Sequence, residues 1–171
     1  TGPVPVQFNL TVTKAGSGDG LVVSSPAGIS CGTACSAGFA GGIQVTLSAD
    51  PAGLNAFTGW SGGGCSGTGV CTVSMDAAMS VTATFESTSR TLTVQKTGNG
   101  AGLVVSSPAG ISCDAVCNAA FGVGTTVTLS ADAFGNSVFT GWTGGGCSGT
   151  GPCTVTMDVA KTVTANFDST L

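Results

Sequence analysis

The sequence predicts an all-β fold arranged as two tandem small β-rich repeat domains, each with two disulfides. Residues 10–85 recur at 92–167 without a gap, and about two thirds of the aligned positions are identical, which marks a repeat architecture. Most segments alternate apolar and polar residues with period two, a pattern typical of half-buried strands. Each repeat carries four of the chain's eight cysteines, which suits a small domain that needs cross-links.

The domain limits are predicted from the repeat itself. We expect an N-terminal arm at 1–7, repeat domain 1 at 8–86, a linker at 87–89, repeat domain 2 at 90–168 and a C-terminal tail at 169–171. A domain of about 80 residues buries only a modest share of its surface, so its core is marginal without further help.

The elements of the first repeat follow from the alternation, and the second repeat has the same pattern. Glycine and proline clusters separate the predicted strands, and one turn of α- or 3₁₀-helix is expected near 31–39. We therefore expect five to seven short strands per unit, in an antiparallel or mixed arrangement. The strands are predicted at 8–12, 21–23, 45–49, 57–60, 71–75 and 81–85. The apolar positions that define the alternation are Phe8, Leu10, Val12, Val45, Leu47, Ala49, Val81, Ala83 and Phe85.

Charge and composition exclude several classes of partner. The net charge is −4, and the cationic side chains are Lys14, Arg90, Lys96 and Lys161. Nucleic acids require clustered lysine and arginine, and anionic membrane surfaces attract polybasic segments, so neither partner is predicted. No apolar run approaches the ~20 residues of a membrane helix, so no membrane span is expected.

The cysteines are expected to form disulfides. Structural zinc sites commonly use tight Cys-x2-Cys knuckles, whereas the spacings here are Cys31-x3-Cys35 and Cys65-x5-Cys71. We therefore predict no metal site and an oxidising, extracellular compartment. Four cysteines per unit allow three pairings, and we favour local pairing because each pair brackets a short turn or a glycine-rich loop. The copies in the second repeat are Cys113, Cys117, Cys147 and Cys153.

Two further features have a structural and a functional interpretation. Trp60 and Trp142 are predicted core residues, since large aromatics supply much of a small domain's buried area. The alternative is an exposed platform for a sugar or a peptide. The glycine runs are predicted turns, because they lack the spacing of phosphate-binding loops.

No catalytic, metal or cofactor site is predicted. The chain has no histidine, and its carboxylates do not recur as a close pair, so a nucleophile–base pair is not supported. A calcium site would need several carboxylates together, and single aspartates in turns more often close those turns. Lys14 and Lys96 lack an evident buried acid for an isopeptide bond. The recurring aspartates are Asp50, Asp76, Asp132 and Asp158.

The repeat resembles the divergent InlB B-repeat domain of bacteria, in the wider Listeria–Bacteroides repeat group. The resemblance rests on Leu10-Thr11-Val12, on the run from Val22 to Cys31, on Phe57-x-Gly59-Trp60-x-Gly62 and on Val81-Thr82-Ala83-x-Phe85, and the pattern recurs from Leu92 through Phe167. It implies small β-rich modules, β-grasp-like or sandwich-like, strung in tandem in large secreted or surface proteins. It implies no catalytic or binding residues.

We therefore expect a non-enzymatic bacterial repeat module, extracellular or on the cell surface, that acts as a structural stalk, spacer or fibre segment. The alternative is an adhesin-type module that recognises a glycan or a host surface protein through its glycine-rich loops. A third interpretation is ice or mineral binding by threonine faces such as Thr11 with Thr13 and Thr82 with Thr84, which would need a flat ladder across many strands.

The N-terminal arm suggests end-to-end association into a homo-polymer. Val4 and Val6 continue the period-two pattern of the first strand. Pro3 and Pro5 cannot donate ladder hydrogen bonds, which restricts such a strand to a sheet edge. An edge on a second copy is one place for it, by β-augmentation.

Overall fold

The structure is a computed structural model that describes residue 2, residues 5–114 and residues 116–171. The chain divides into two compact units, Thr1–Thr88 and Ser89–Leu171. Within the described residues there are strands and turns and no helix, so the predicted all-β fold is confirmed. Each unit contains two sheets and two disulfides.

Seven strands form each unit, as far as the described residues go. In unit 1 a four-stranded sheet has the order β3-β1-β7-β5 and a three-stranded sheet the order β2-β4-β6. The strands are β1 Gln7–Ala15, β2 Gly20–Ser25, β3 Ser36–Ala40, β4 Gln44–Pro51, β5 Asn55–Ser61, β6 Cys71–Ser74 and β7 Met79–Ser87.

Unit 2 repeats this arrangement. Its sheets have the orders β10-β8-β14-β12 and β9-β11-β13. The strands are β8 Ser89–Thr97, β9 Gly102–Ser107, β10 Asn118–Gly122, β11 Thr126–Ala133, β12 Ser137–Thr143, β13 Cys153–Thr156 and β14 Lys161–Ser169.

The first and last strands of each unit are parallel neighbours at the centre of the larger sheet. β1 pairs with β7 over six residue pairs, from Leu10 opposite Met79 to Ala15 opposite Thr84. β8 and β14 pair in the equivalent register, and the other ladders are antiparallel. Because β1 and β7 run in the same direction, the chain begins unit 1 at one end of this sheet and leaves it at the opposite end.

Both sheets of a unit contribute to one core. The apolar residues of the predicted alternation are buried in β1, β4 and β7, with Phe8 and Ala49 partly buried beside them. The core members of unit 1 are Leu10, Val12, Val22, Ile29, Cys31, Phe39, Val45, Leu47, Trp60, Cys71, Val73, Met75, Val81, Ala83 and Phe85.

Gly20 allows the Phe85 ring to complete this core. A Cβ at Gly20 would lie 2.2 Å from the ring, and a Cβ at Gly102 would lie 2.1 Å from the Phe167 ring in unit 2. Real Cβ contacts are never this short. The glycines are therefore required by the packing of the two phenylalanines, which are 0% and 1% exposed.

The single turn expected near 31–39 is present as a hydrogen-bonded turn at 31–33 and not as a helix, and a strand follows it. The carbonyl of Ser30 accepts hydrogen bonds from the backbone N–H groups of Thr33 and Ala34, which closes a single turn, and Ser36–Ala40 is the strand β3. Its small residues give a weak alternation, with Phe39 as the one large buried side chain. β3 forms its backbone hydrogen bonds with β1, and this pairing cannot be predicted from the sequence of β3 alone.

Candidate functional site

The loop that follows β5 folds back onto Trp60 and is closed by a disulfide. We call residues 62–70 the Trp loop. The backbone N–H of Trp60 donates to the carbonyl of Gly67 at 2.9 Å, and the indole Nε1 donates to the carbonyl of Gly69 at 2.7 Å. The Cys65–Cys71 disulfide joins the loop to β6. The loop thus satisfies the polar atom of a buried indole.

Trp60 is a core residue, as predicted, and the exposed-platform alternative is wrong. Its side chain and that of Trp142 are only 5% and 2% exposed. Phe57 packs edge-on to Trp60 at 4.9 Å between ring centroids and lies 5.3 Å from Phe85. Phe57, Trp60 and Phe85 therefore form an internal aromatic cluster.

A second disulfide closes the turn before β3. Cys31 is completely buried, and its backbone N–H donates to the carbonyl of Val22 at 2.7 Å. The Cα atoms of Cys31 and Cys35 are 4.5 Å apart. All eight cysteines are paired locally in the structure, as Cys31–Cys35, Cys65–Cys71, Cys113–Cys117 and Cys147–Cys153.

The turn between β1 and β2 is hydrogen-bonded to the end of β7. The backbone N–H of Gly18 donates to the carbonyl of Phe85 at 2.8 Å, and the backbone N–H of Ser87 donates to Ser17 Oγ at 3.1 Å. Ser17 Oγ also contacts the Glu86 carboxylate. We call this contact between residues 16–18 and 85–87 the latch.

Unit 2 has an equivalent latch built with different side chains. Gly100 N–H donates to the carbonyl of Phe167 at 2.8 Å, and Asn99 Oδ1 accepts from the backbone N–H of Ser169 at 2.8 Å. Asn99 thus replaces Ser17 in holding the last strand. Strand periodicity does not predict the latch. The sequence signal for it is the Gly-x-Gly motif, which occurs at 16–18 and again at 98–100.

The ionisable side chains form isolated ion pairs on the surface. Lys14 Nζ lies 2.6 Å from Asp19 Oδ1, and this hydrogen bond, followed by the one from the Gly20 N–H, lowers the pKa of Asp19. Lys161 Nζ lies 3.0 Å from Asp158 and lowers the pKa of that carboxyl in the same way, with help from the Val159 N–H.

The other candidate chemical sites are not assembled. Lys96 lies 3.7 Å from Asp114, whose side chain is exposed, so neither lysine named for an isopeptide bond faces a buried acid. Among the described residues there is no cluster of three histidine, cysteine, aspartate or glutamate side chains able to hold a metal, and the same part of the chain forms no pocket. No described helix is long and apolar enough to span a membrane.

Hydroxyl side chains occupy the outer face of the larger sheet of unit 1. Thr11 and Thr13 of β1 are level with Ser80 and Thr82 of β7, and Ser61 of β5 is also level with Thr82. These positions alternate with buried ones. The threonines named for ice or mineral binding therefore share one face.

Exposed apolar side chains lie in the loops where the two repeats differ. Leu54, in the loop between β4 and β5, is 49% exposed. In unit 2 the corresponding loop and the start of β12 expose Phe134 and Val138, at 47% and 44%. The two units therefore present different apolar side chains in this loop.

Known families and structures show what this chain resembles. The family described as divergent InlB B-repeat domain matches it twice, at residues 9–89 and 91–170. No curated protein is significantly similar to it.

The shaft pilin of Lactobacillus rhamnosus GG is 10% identical over 98% of both chains, with a TM-score of 0.40. The major pilin of Streptococcus pyogenes is 10% identical over 97% of this chain and 98% of that one, with a TM-score of 0.35. TM-scores this low do not establish a shared fold.

Proposed function

The chain belongs to the divergent InlB B-repeat domain family, and on that premise we propose that it is a non-enzymatic, extracellular bacterial repeat module acting as a structural stalk, spacer or fibre segment. The observation that carries this proposal is the parallel pairing of β1 with β7. A unit that begins at one end of its sheet and finishes at the other can be joined to further copies without turning the chain back. An antiparallel first and last strand would bring both ends to one side.

The experiment that tests the proposal varies the number of units. Proteins with two, four and six copies of the repeat would be compared by small-angle X-ray scattering. A stalk or spacer gives a maximum dimension that grows in proportion to copy number. A dimension that grows only as the cube root of the mass would mean that the copies collapse into a globule, and the proposal would be wrong.

Extracellular placement is proposed from the cysteines. Every cysteine is in a disulfide, and disulfides persist in oxidising compartments. The absence of an enzymatic role is proposed because the repeated positions lie in the core, in turns and in cysteine pairs. Labelling of the protein with a thiol-reactive reagent before and after export would test the compartment. Free thiols in the exported protein would contradict extracellular placement.

Self-association through the N-terminal arm is part of this proposal. The carbonyl of Val6 accepts a hydrogen bond from the Gly41 N–H at 2.8 Å, and Gln7 is level with Ala40, so the end of the arm already extends β1 along β3. Pro3 and Val4 lie outside the described residues. Electron microscopy and light scattering of the full chain beside a version without residues 1–5 test the idea. Monomers in both samples would end it.

An adhesin is the second candidate, and the exposed loop residues favour it. Phe134 and Val138 in unit 2 have Ala52 and Ala56 as counterparts in unit 1, so the two loops present different apolar surfaces. An adhesin that binds a glycan or a surface protein through this loop should lose binding when residues 133–138 are replaced by 51–56. Retained binding after the exchange would exclude that loop.

A further inference from the structure

We infer that the parallel pair of β1 and β7, like β8 and β14 in unit 2, is a mechanical clamp. Tension applied through the two ends of a unit shears the two strands of its clamp against each other. This inference rests on the proposed role as a stalk or spacer, since only that role places the ends under tension. The strands begin and end at opposite ends of the sheet, so force pulls β1 and β7 apart along their own direction. Their hydrogen bonds are then loaded together instead of one after another.

The paired segments lie at the centre of the sheet. β1 is held on its other side by β3, from Gln7 opposite Ala40 to Thr11 opposite Ser36. β7 is held on its other side by β5. Neither strand can slide out without breaking two ladders, whereas an edge strand would break one.

Buried side chains reinforce the clamp. Val12 of β1 is level with Val81 of β7, and both are in the core at 2% and 0% exposure. Sliding β1 past β7 would move these side chains out of register with the opposite sheet. Close-packed interiors resist such displacement because side chains interdigitate with few voids.

The latch lengthens the clamp beyond the ladder. The ladder ends at Ala15 opposite Thr84, and the latch continues the connection through Gly18 N–H to the carbonyl of Phe85. A Cβ at Gly16 would lie 2.1 Å from that carbonyl oxygen, so the close approach of the turn depends on glycine there. Unit 2 has the same contact at Gly98 and Phe167.

The two strands of the clamp are held together without a covalent cross-link. The disulfides of unit 1 have sequence separations of 4 and 6 residues, and neither joins β1 to β7. A single unit can therefore open under force and release most of its length. Forced unfolding is governed by the unfolding rate, so the direction in which the barrier is loaded matters as well as the equilibrium stability.

Single-molecule force spectroscopy on the oxidised full chain tests the inference by changing only the points of attachment. Handles at exposed positions 7 and 88 load unit 1 in shear. Handles at exposed positions 7 and 77 pull on the starts of β1 and β7, which lie at the same end, and peel the ladder apart. We expect a several-fold higher unfolding force for the first pair. Equal forces for the two pairs would overturn the clamp.

Two matched substitutions separate the clamp from general stability. Val12→Ala removes a core side chain from β1, and Val73→Ala removes one of the same size and burial from β6 in the other sheet. Both should lower the denaturation midpoint by similar amounts, and Val12→Ala should lower the shear force more. Equal losses of force would contradict a clamp at β1 and β7.

The outcome is separable from the proposed function. Scattering that shows no growth of length with copy number would end the stalk proposal even if the force anisotropy is found. A linear array with direction-independent unfolding forces would leave the stalk and end the clamp.

Discussion

Unit 1 and unit 2 differ least where the chain is buried and most where it is exposed. The fifteen core residues of unit 1 all have identical counterparts in unit 2, although a third of the aligned positions in the repeat differ. The differences are spread along the repeat, and they include the segment 32–34 against 114–116 and the segment 51–56 against 133–138, in which only Gly53 and Gly135 match. The comparison separates a fixed core from an exchangeable surface.

The ion pairs differ between the two units, as the exposed positions do, whereas the core residues are identical. Asp19 pairs with Lys14 in unit 1, and Ala101 occupies the corresponding position in unit 2. Lys161 pairs with Asp158 in unit 2, where unit 1 has Met79. Exposed pairs of this kind contribute little to stability, so each unit tolerates the loss of the pair that the other one has.

The largest expected effect is at the tryptophans. Trp60→Ala should lower the free energy of unfolding of unit 1 by about 3–5 kcal/mol, because it removes a buried ring and leaves a cavity. Trp142→Ala should cost unit 2 the same amount, since the surrounding core is identical. Denaturant unfolding followed by circular dichroism measures the loss.

The single tryptophan left in each variant reports on the unchanged unit by fluorescence. Phe134→Ala is a control, because that ring is exposed and its removal should leave stability nearly unchanged. If Trp60→Ala kept full stability and instead abolished glycan binding, the core assignment would have to be abandoned.

Removing the disulfides should have the next largest effect. The chain-entropy model gives about 2 kcal/mol for each loop of this size, so the double variant Cys65→Ala/Cys71→Ala should lose that amount. The Cys147→Ala/Cys153→Ala variant should lose the same in unit 2. Non-reducing peptide mapping checks the pairing itself, and a peptide that links Cys31 to Cys65 would contradict it.

Gly20→Ala and Gly102→Ala should each cost about 1–3 kcal/mol. The added methyl group would overlap the Phe85 or Phe167 ring, and both rings are buried in the core. Gly32→Ala is the matched control, because its Cβ would lie 3.8 Å from Leu21 and the change should stay within about 0.5 kcal/mol. Thermal unfolding compares the three variants, and equal midpoints would mean that the rings can move aside.

The smallest expected effect is electrostatic. Lys161→Met gives unit 2 the residue of unit 1, and it should raise the pKa of Asp158 toward its ordinary value, because Lys161 is the main cause of the lowered pKa. The pKa of Asp19 should not change. A carboxyl NMR titration measures both, and an unmoved Asp158 would contradict the assignment.

The same titration sets the pH dependence. A carboxyl with a lowered pKa in the folded state stabilises the fold above its unfolded pKa, and this contribution is lost as the pH falls through the folded pKa. Asp19 and Asp158 therefore make the protein slightly less stable at strongly acidic pH. The effect is small because both side chains are exposed.

The sequence was sufficient for the parts of the fold that depend on local pattern. Alternation predicted β1, β4 and β7, and the repeat predicted two similar units. The scarcity of large apolar residues placed Trp60 in the core. Each of these inferences used residues that are close in the chain, or the comparison of one repeat with the other.

The pairing of strands that are distant in the chain could not be predicted from the sequence. Nothing within residues 10–15 indicates that their parallel partner is 79–84, because either direction of pairing satisfies the same alternation. β3 was missed because Ser36–Ala40 has few large side chains, and its strand character comes from its neighbour. The latch was missed for the same reason, since its glycines meet a carbonyl of β7.

The pairing of β1 with β7 also dictates when a unit can finish folding. The strand that is synthesised first has to wait for the strand that is synthesised last, and contacts so distant in sequence form slowly. The two local disulfide loops can close long before that. In tandem copies with identical cores, β14 competes with β7 for β1 if unit 1 has not closed by the time β14 is synthesised, and exchange of strands between domains is a characteristic misfolding route of repeat proteins. Prompt closure of each unit before the next one is complete is therefore the condition for a correctly assembled array.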